Sequence, residues 1–334
     1  MQKSNSKDKI DSKKIKEDIN DYLYSLQTLA TLTNIFEYNF QGTSIQGKRL
    51  ITSNHNTIQP NTPITPDLVT EFDKSQKFND YGVVMELKTD LPLERKHWEQ
   101  TVQQLKKYDD DLTNWNSNVS KHDVALVTIP PRIFDFIQYV ESSEMISRYK
   151  FDRNLIVVSS SPMHQANAFI FVEKRHGKFL HEEIDIKFSK GVPVAELHIL
   201  PQLRRMKFYD SKPPLIYTML IIWNDVFNQY LDVEKIRELD RKRSITFVIT
   251  LQDVIDKLNE FTPITNTDCV DNEWVREAMN AFKEIGIATS LHLGPNTFEI
   301  KMMKPTEEVR DWLISKFEEL EKKKAGTLDR FFAK

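Results

Sequence analysis

Apolar residues recur at helical spacing early in the chain. Ile15, Ile19, Leu23, Leu26, Leu29, Ala30 and Ile35-Phe36 fall about a turn apart, which predicts an amphipathic helix from Ile15 to about Phe40. Gly42 and Gly47 end it, and a stretch rich in Asn, Thr and Pro follows to Thr65, with a first strand expected at Lys48–Thr52. Compact, partly β-branched runs at Leu68–Phe72 and Gly82–Thr89 predict two strands. Leu93–Leu112 reads as helix, Val124–Ile129 as a buried strand halted by Pro130-Pro131, and Ile133–Val140 as a short helix. Leu155–Val158 and Ala168–Glu173 continue the β content. Leu180–Lys212 fits two readings, a sheet extension or a linker. Beyond Pro213-Pro214 the pattern changes to helices at Leu215–Leu231, Thr250–Phe261 and Asn272–Ile285. Two runs, Thr289–Leu293 and Thr297–Met302, then flank the turn residues Gly294-Pro295-Asn296. Pro305–Lys323 is a last helix with proline at its start.

The expected fold class is therefore an α/β core, a mixed sheet flanked by helices, followed by a mostly helical domain. Three helices and a hairpin describe a winged helix-turn-helix. The segments expected are a disordered tail at 1–13, the α/β core at 14–180, the ambiguous 181–212, a winged-helix-like domain at 213–304, a helix at 305–324 and a tail at 325–334.

Composition narrows the function classes. With 334 residues there is enough chain for two or three cores. The formal net charge of −3 supplies no global basic field, so any nucleic-acid contact must come from local patches. The single cysteine, Cys269, excludes a disulfide framework and a cysteine-rich zinc site, and it argues against an iron–sulfur cluster. The longest apolar stretch, Leu215–Trp223, is far shorter than the roughly 20 residues of a membrane span. The charged N-terminus has no apolar core, as a secretory signal requires. A soluble, cytoplasmic protein with no membrane partner is expected.

The chemistry concentrates between positions 66 and 108. Pro66-Asp67 opens one strand-like run, and Glu86-Leu87-Lys88 closes the next. If Leu87 points into the core, Glu86 and Lys88 project from the same strand face. Two carboxylates on neighbouring strands suit a hard divalent cation such as Mg²⁺ or Mn²⁺, which takes oxygen ligands and water. With a lysine beside them, they can hold the cation and a water above a phosphodiester. Gln104 and Tyr108 follow one turn apart on a helix, so they share a face.

These residues resemble the PD-(D/E)xK nucleases, and the Gln-x-x-x-Tyr pair resembles the RecB-like branch of that superfamily. The resemblance implies a nuclease core over 14–180 and catalytic roles for Asp67, Glu86, Lys88, Gln104 and Tyr108. It also implies metal ligation by Asp67, Glu86 and the carbonyl of Leu87, with Lys88 orienting the water. A glutamate of the first helix often joins the site in that family; Glu37 is the candidate, ahead of Glu17. His55 is a poor match to the family histidine.

The tail Ala325-Gly326-Thr327-Leu328-Asp329-Arg330-Phe331-Phe332 resembles a sliding-clamp (PCNA) interacting peptide of archaeal clamp clients. Leu328, Phe331 and Phe332 would be its three-pronged anchor, set by a single 3₁₀ turn on a solvated tether. Ala325 replaces the usual glutamine. The expected recognition helix, Asn272–Ile285, sets Arg276 and Lys283 against Glu273, Glu277 and Glu284, a poor face for reading bases. Packing, dimerisation or weak backbone contact are its other roles. Arg204-Arg205 and Arg241 with Arg243 are the more basic segments that could meet DNA phosphates. Two functions follow from the resemblance: a Mg²⁺-dependent nuclease recruited to the clamp in DNA repair or replication, or a clamp-bound DNA-binding adaptor whose nuclease-like fold is inactive.

Overall fold

The computed structural model describes residues 12–40, 44–47, 51–53, 62–72, 77–78, 80–151, 155–164, 168–205, 207–208, 213–260, 272–292, 294, 296–305 and 307–332. These form two compact units, one of residues 24–209 and one of 12–23 with those from 213 onward. Helix α1 (Ser12–Asn39) supplies residues to both.

In the first unit α1 is followed by β1 (Ser44–Gly47), β2 (Ile51–Ser53), β3 (Thr62–Ile64), β4 (Leu68–Glu71), β5 (Tyr81–Lys88) and α2 (Arg95–Tyr108). Then come β6 (Leu112–Thr113), β7 (Lys121–Thr128), α3 (Ile133–Val140), α4 (Ser143–Arg148), β8 (Leu155–His164) and β9 (Ala168–His176). The unit closes with α5 (Glu182–Ser189), β10 (Val192–Ala195) and α6 (Glu196–Arg205). Seven strands pair in the order β1-β4-β5-β7-β8-β9-β10. β5, β7 and β8 are parallel and the other pairings antiparallel, so the sheet is mixed. β2 pairs with β3 and β6 in a small separate sheet.

Both faces of the large sheet are covered, which is why its central strands read as near-continuous apolar runs. Val83, Met85 and Leu87 of β5 pack on one face with Leu29, Leu32 and Phe36 of α1 and Phe188 of α5. Val84, between them, packs on the other face with Trp98, Val102 and Leu105 of α2 and Phe136 of α3. This alternation decides which side the polar residues of β5 occupy.

Three segments refine the sequence expectation. The helix expected to reach Leu112 stops at Tyr108, and Leu112-Thr113 pairs with β2 instead. Asp109, Asp110 and Asp111 follow Tyr108, and negative charge is unfavourable at the negative end of a helix dipole. Of the strand expected at Lys48–Thr52, Ile51 and Thr52 lie in β2, β1 precedes it, and Lys48–Leu50 lie outside the described residues. The ambiguous segment 181–212 holds α5, β10 and α6, and β10 extends the sheet by pairing with β9.

In the second unit α7 (Leu215–Ile221) continues through a π turn (Ile222–Val226) and a 3₁₀ turn (Phe227–Tyr230) where a single helix was expected. Trp223 and Phe227 are both buried along it; Trp223 lies 5.0 Å from Trp312 and Phe227 5.2 Å from Phe282, ring centre to ring centre. Next come α8 (Val233–Lys242), β11 (Ser244–Thr250), α9 (Leu251–Asn259), α10 (Asn272–Glu284), β12 (Ala288–Ser290), β13 (Thr297–Met303) and α11 (Val309–Phe332). The strands pair in the order β11-β13-β12. α8 and β11 add to the elements that the sequence pattern predicts. α8 buries no residue, although Val233, Ile236 and Leu239 recur at helical spacing along it. β11 does alternate, burying Ile245, Phe247 and Ile249, but it starts directly after a charged run. Gly286, at φ +77°, ends α10 in a conformation that L side chains rarely adopt.

α11 carries its α-helical backbone through Phe332, in place of the tether and 3₁₀ turn expected there. The side chains of Leu328, Phe331 and Phe332 lie outside the described residues, as do Cys269 and His55. Among the described residues no helix is long and apolar enough to cross a membrane.

Candidate active site

The antiparallel pairing of β4 and β5 matches Leu68 with Met85. One residue further along the same register Asp67 faces Glu86, so a separation of nineteen in sequence becomes one strand spacing. Asp67 alternates with Leu68 and Glu86 with Met85 and Leu87, whose side chains face α1. Both carboxylates therefore stand on the side of α2. Asp67 is fixed further by its Oδ2, which accepts the Leu87 N–H at 2.9 Å.

α2 completes the group. The face that buries Trp98, Val102, Leu105 and Tyr108 lies against the sheet, and Gln104 stands one turn before Tyr108 beside it. Lys88 Nζ donates to Glu86 Oε1 at 2.7 Å and to Gln104 Oε1 at 3.3 Å. Gln104 Nε2 donates to the Tyr108 hydroxyl at 2.9 Å, and that hydroxyl donates to Glu86 Oε2 at 2.8 Å. The four side chains form a closed ring in which both donor paths leaving Lys88 end on one carboxylate. The end of α2 is tied down by the His122 ring of β7, whose Nε2 lies 2.8 Å from the Tyr108 carbonyl oxygen.

Burial sets the electrostatics. Asp67 and Glu86 are 8% and 3% exposed, whereas the Lys88 side chain is 32% exposed and opens the site to solvent. Burial, and then the neighbouring negative charge of Glu86, push the Tyr108 phenol well above its ordinary range. It stays protonated at neutral pH and can only act as a donor to Glu86. Lys88 supplies a local positive charge that partly offsets the two carboxylates.

The donor set fits a hard divalent cation. Asp67 and Glu86 offer carboxylate oxygens from adjacent strands, and one or two carboxylates with water are the usual provision for Mg²⁺. No group of three His, Cys, Asp or Glu that could hold a metal occurs among the described residues, so a cage made only of such side chains is not what this site offers. Both oxygens of Glu86 are engaged, by Lys88 and by Tyr108, and a cation would have to compete for one of them.

The remaining candidates lie elsewhere. Glu37 is on α1, which covers the opposite face of the sheet, and it accepts a hydrogen bond from Gln202 Nε2 of α6 at 2.7 Å. The structure does not bring it to Glu86. Arg204 and Arg205 close α6, their side chains outside the described residues. Arg241 and Arg243 are exposed at the end of α8, where Arg243 adopts φ +62°. Arg132 was not singled out. It too has positive φ, +65°, and its Nη1 donates to the Leu91 carbonyl at 2.8 Å, joining the turns that leave β5 and β7 beside Lys88. A lone arginine after two prolines carries no sequence signal for that contact. Comparison with family models, with curated proteins and with solved structures finds no match to this chain.

Proposed function

We propose that this chain is a divalent-cation-dependent nuclease that hydrolyses phosphodiester bonds in DNA. The observation that carries the reading is the convergence of five polar side chains from three separated stretches, two of them a buried carboxylate pair and the other three, Lys88, Gln104 and Tyr108, gathered at it. Asp67 and Glu86 would hold Mg²⁺ or Mn²⁺, which when bound supplies charge neutralisation on the phosphate and an acidified water. Lys88, at the exposed rim, would orient the attacking water or offset charge on the attacked phosphate. Gln104 holds Lys88 from one side, and Tyr108, kept protonated, holds Glu86 in place. In the net reaction a water oxygen attacks phosphorus and the P–O ester bond breaks. One product keeps the phosphate and the other leaves as an alcohol carrying the transferred proton.

The second unit fits an accessory role. A winged helix-turn-helix would use α7, α9 and α10 with the β12–β13 hairpin and β11 as a third strand, leaving α8 as an addition. The exposed residues of α10 include Glu273, Glu277 and Glu284 against Arg276 and Lys283, which favours packing or weak backbone contact over base reading. The C-terminal residues Leu328, Phe331 and Phe332 are the proposed anchor on a sliding clamp. Recruitment of this kind replaces the global basic field that a net charge of −3 does not provide.

The test is cleavage of branched, flapped, mismatched and single-stranded DNA by purified protein with Mg²⁺ or Mn²⁺. Activity is expected in the wild type, with a loss of about a hundredfold or more in Asp67→Ala and Glu86→Ala, because a catalytic cation is worth several kcal/mol. Wild-type rates in either folded variant would overturn the assignment. A wild type that binds DNA and the clamp yet cuts none of these substrates would point instead to an inactive adaptor.

A further inference from the structure

Thr128 ends β7, and its hydroxyl is buried, at 1% exposure, without a hydrogen-bond partner. A buried hydroxyl left unpaired is costly, and each such group in a folded protein calls for a reason. The sheet register suggests one. Thr128 is the Cα partner of Lys88 on β5 and of Ser159 on β8. Val124 and Leu126 alternate with Thr128 and pack in the same cluster as Val84, so Thr128 shares the face of Glu86 and Lys88. Ser159, the next hydroxyl along this row, is satisfied. It donates to the Glu173 carbonyl at 3.2 Å and accepts from Arg175 Nε at 2.9 Å.

Lys88 has three N–H donors, and two are directed at Glu86 Oε1 and Gln104 Oε1. A cation taken up by Glu86 competes for Oε1 and repels the ammonium. Tyr108, the other donor on Glu86, is neutral and anchored through α2, so Lys88 is the group that must move. We propose that Thr128 is the positioning residue that receives it: the Lys88 ammonium leaves Glu86 Oε1 for Thr128 Oγ1 while keeping Gln104. This rests on the cation-dependent reading of the site. Adjacent strands lie about 4.8 Å apart, a span that a four-carbon side chain crosses without backbone movement. The unpaired hydroxyl is then an acceptor held open for the loaded state, and Lys88 has two seats, one beside each strand.

Mn²⁺ titrated by calorimetry into the wild type, Thr128→Val and Thr128→Ser, with no DNA present, tests this independently of catalysis. Thr128→Val keeps the shape and removes the acceptor; binding about tenfold weaker is expected, the scale of one hydrogen bond to a charged group. Thr128→Ser keeps the hydroxyl and should bind within about twofold of the wild type. The cation-free melting temperature of Thr128→Val should equal or exceed that of the wild type, since an unpaired buried hydroxyl has been removed. If Thr128→Val instead melts early, Thr128→Ser against Thr128→Ala makes the same comparison. Equal affinity with and without the hydroxyl overturns the inference, as does a wild type that binds no Mn²⁺. A wild type that binds Mn²⁺ in a Thr128-dependent way but cuts no DNA sinks the nuclease reading and leaves this inference standing.

Discussion

At the residue scale, the ring around Glu86 depends on Tyr108 more than its position at the end of a helix suggests. Its hydroxyl links Gln104 to Glu86, and burial keeps it protonated past the ordinary tyrosine range. The direction of that shift fixes a pH dependence. An unfolded tyrosine ionises near pH 10. Below that value both states keep the proton and the contribution is fully present. As pH rises above 10 the unfolded chain gives up its proton while the folded chain holds it, so stability is lost. Tyr108→Phe should lower stability at pH 7 by about 1 kcal/mol, the net worth of one buried hydrogen bond. It should also make the decline above pH 10 shallower. Urea unfolding of both proteins at pH 7 and 10.5 reads the two effects, and identical slopes against pH would show that Tyr108 titrates normally.

At the scale of the element, α9 shows how much a local signal alone can specify. Thr250 and Asp253 form a full capping box, with Thr250 Oγ1 accepting the Asp253 N–H at 3.1 Å and Asp253 Oδ2 accepting the Thr250 N–H at 2.9 Å. Thr250→Ala should cost about 1 kcal/mol, a melting shift of about 4–8 °C if the second unit unfolds on its own. Calorimetry should show the shift in that unit's transition and none in the other. α11 makes the contrasting case. Its backbone helix extends through Phe332 and so takes in the proposed anchor residues Leu328, Phe331 and Phe332. Phe331→Ala with Phe332→Ala is expected to weaken clamp binding by about a hundredfold or more, at roughly 1.5–3 kcal/mol for each buried aromatic. Equal affinities by calorimetry would place the function of this face elsewhere.

Taken as a whole molecule, the proposed chemistry and the proposed recruitment fall in different units of the chain. The carboxylate pair lies within residues 67–108 of the first unit, and the proposed clamp anchor at the end of the second. Tethering should therefore raise cleavage at low enzyme concentration without altering the intrinsic rate. With clamp loaded on DNA, the wild type should outpace the Phe331→Ala/Phe332→Ala variant. Without the clamp the two should cut equally. A variant defective on naked DNA as well would mean that these phenylalanines support the fold.

The sequence by itself determined the elements whose signal is local. The period of α1, the apolar runs of β4, β5 and β7, the proline stop before α3 and the start of a helix at Thr250 were all legible, because each depends on neighbours within a few residues. It also indicated that Glu86 and Lys88 share a face, since a strand alternates by two. Only the tertiary structure decided what lies opposite what. The β4–β5 register puts Asp67 beside Glu86, α2 lays Gln104 and Tyr108 over that pair, and α1 keeps Glu37 on the other face. Thr128, level with Lys88 across a parallel pairing, has no signature in the chain, because register between distant strands is set by packing on both faces of the sheet. α8 is the reverse case: Val233, Ile236 and Leu239 recur at helical spacing in the sequence, yet the fold buries none of its residues.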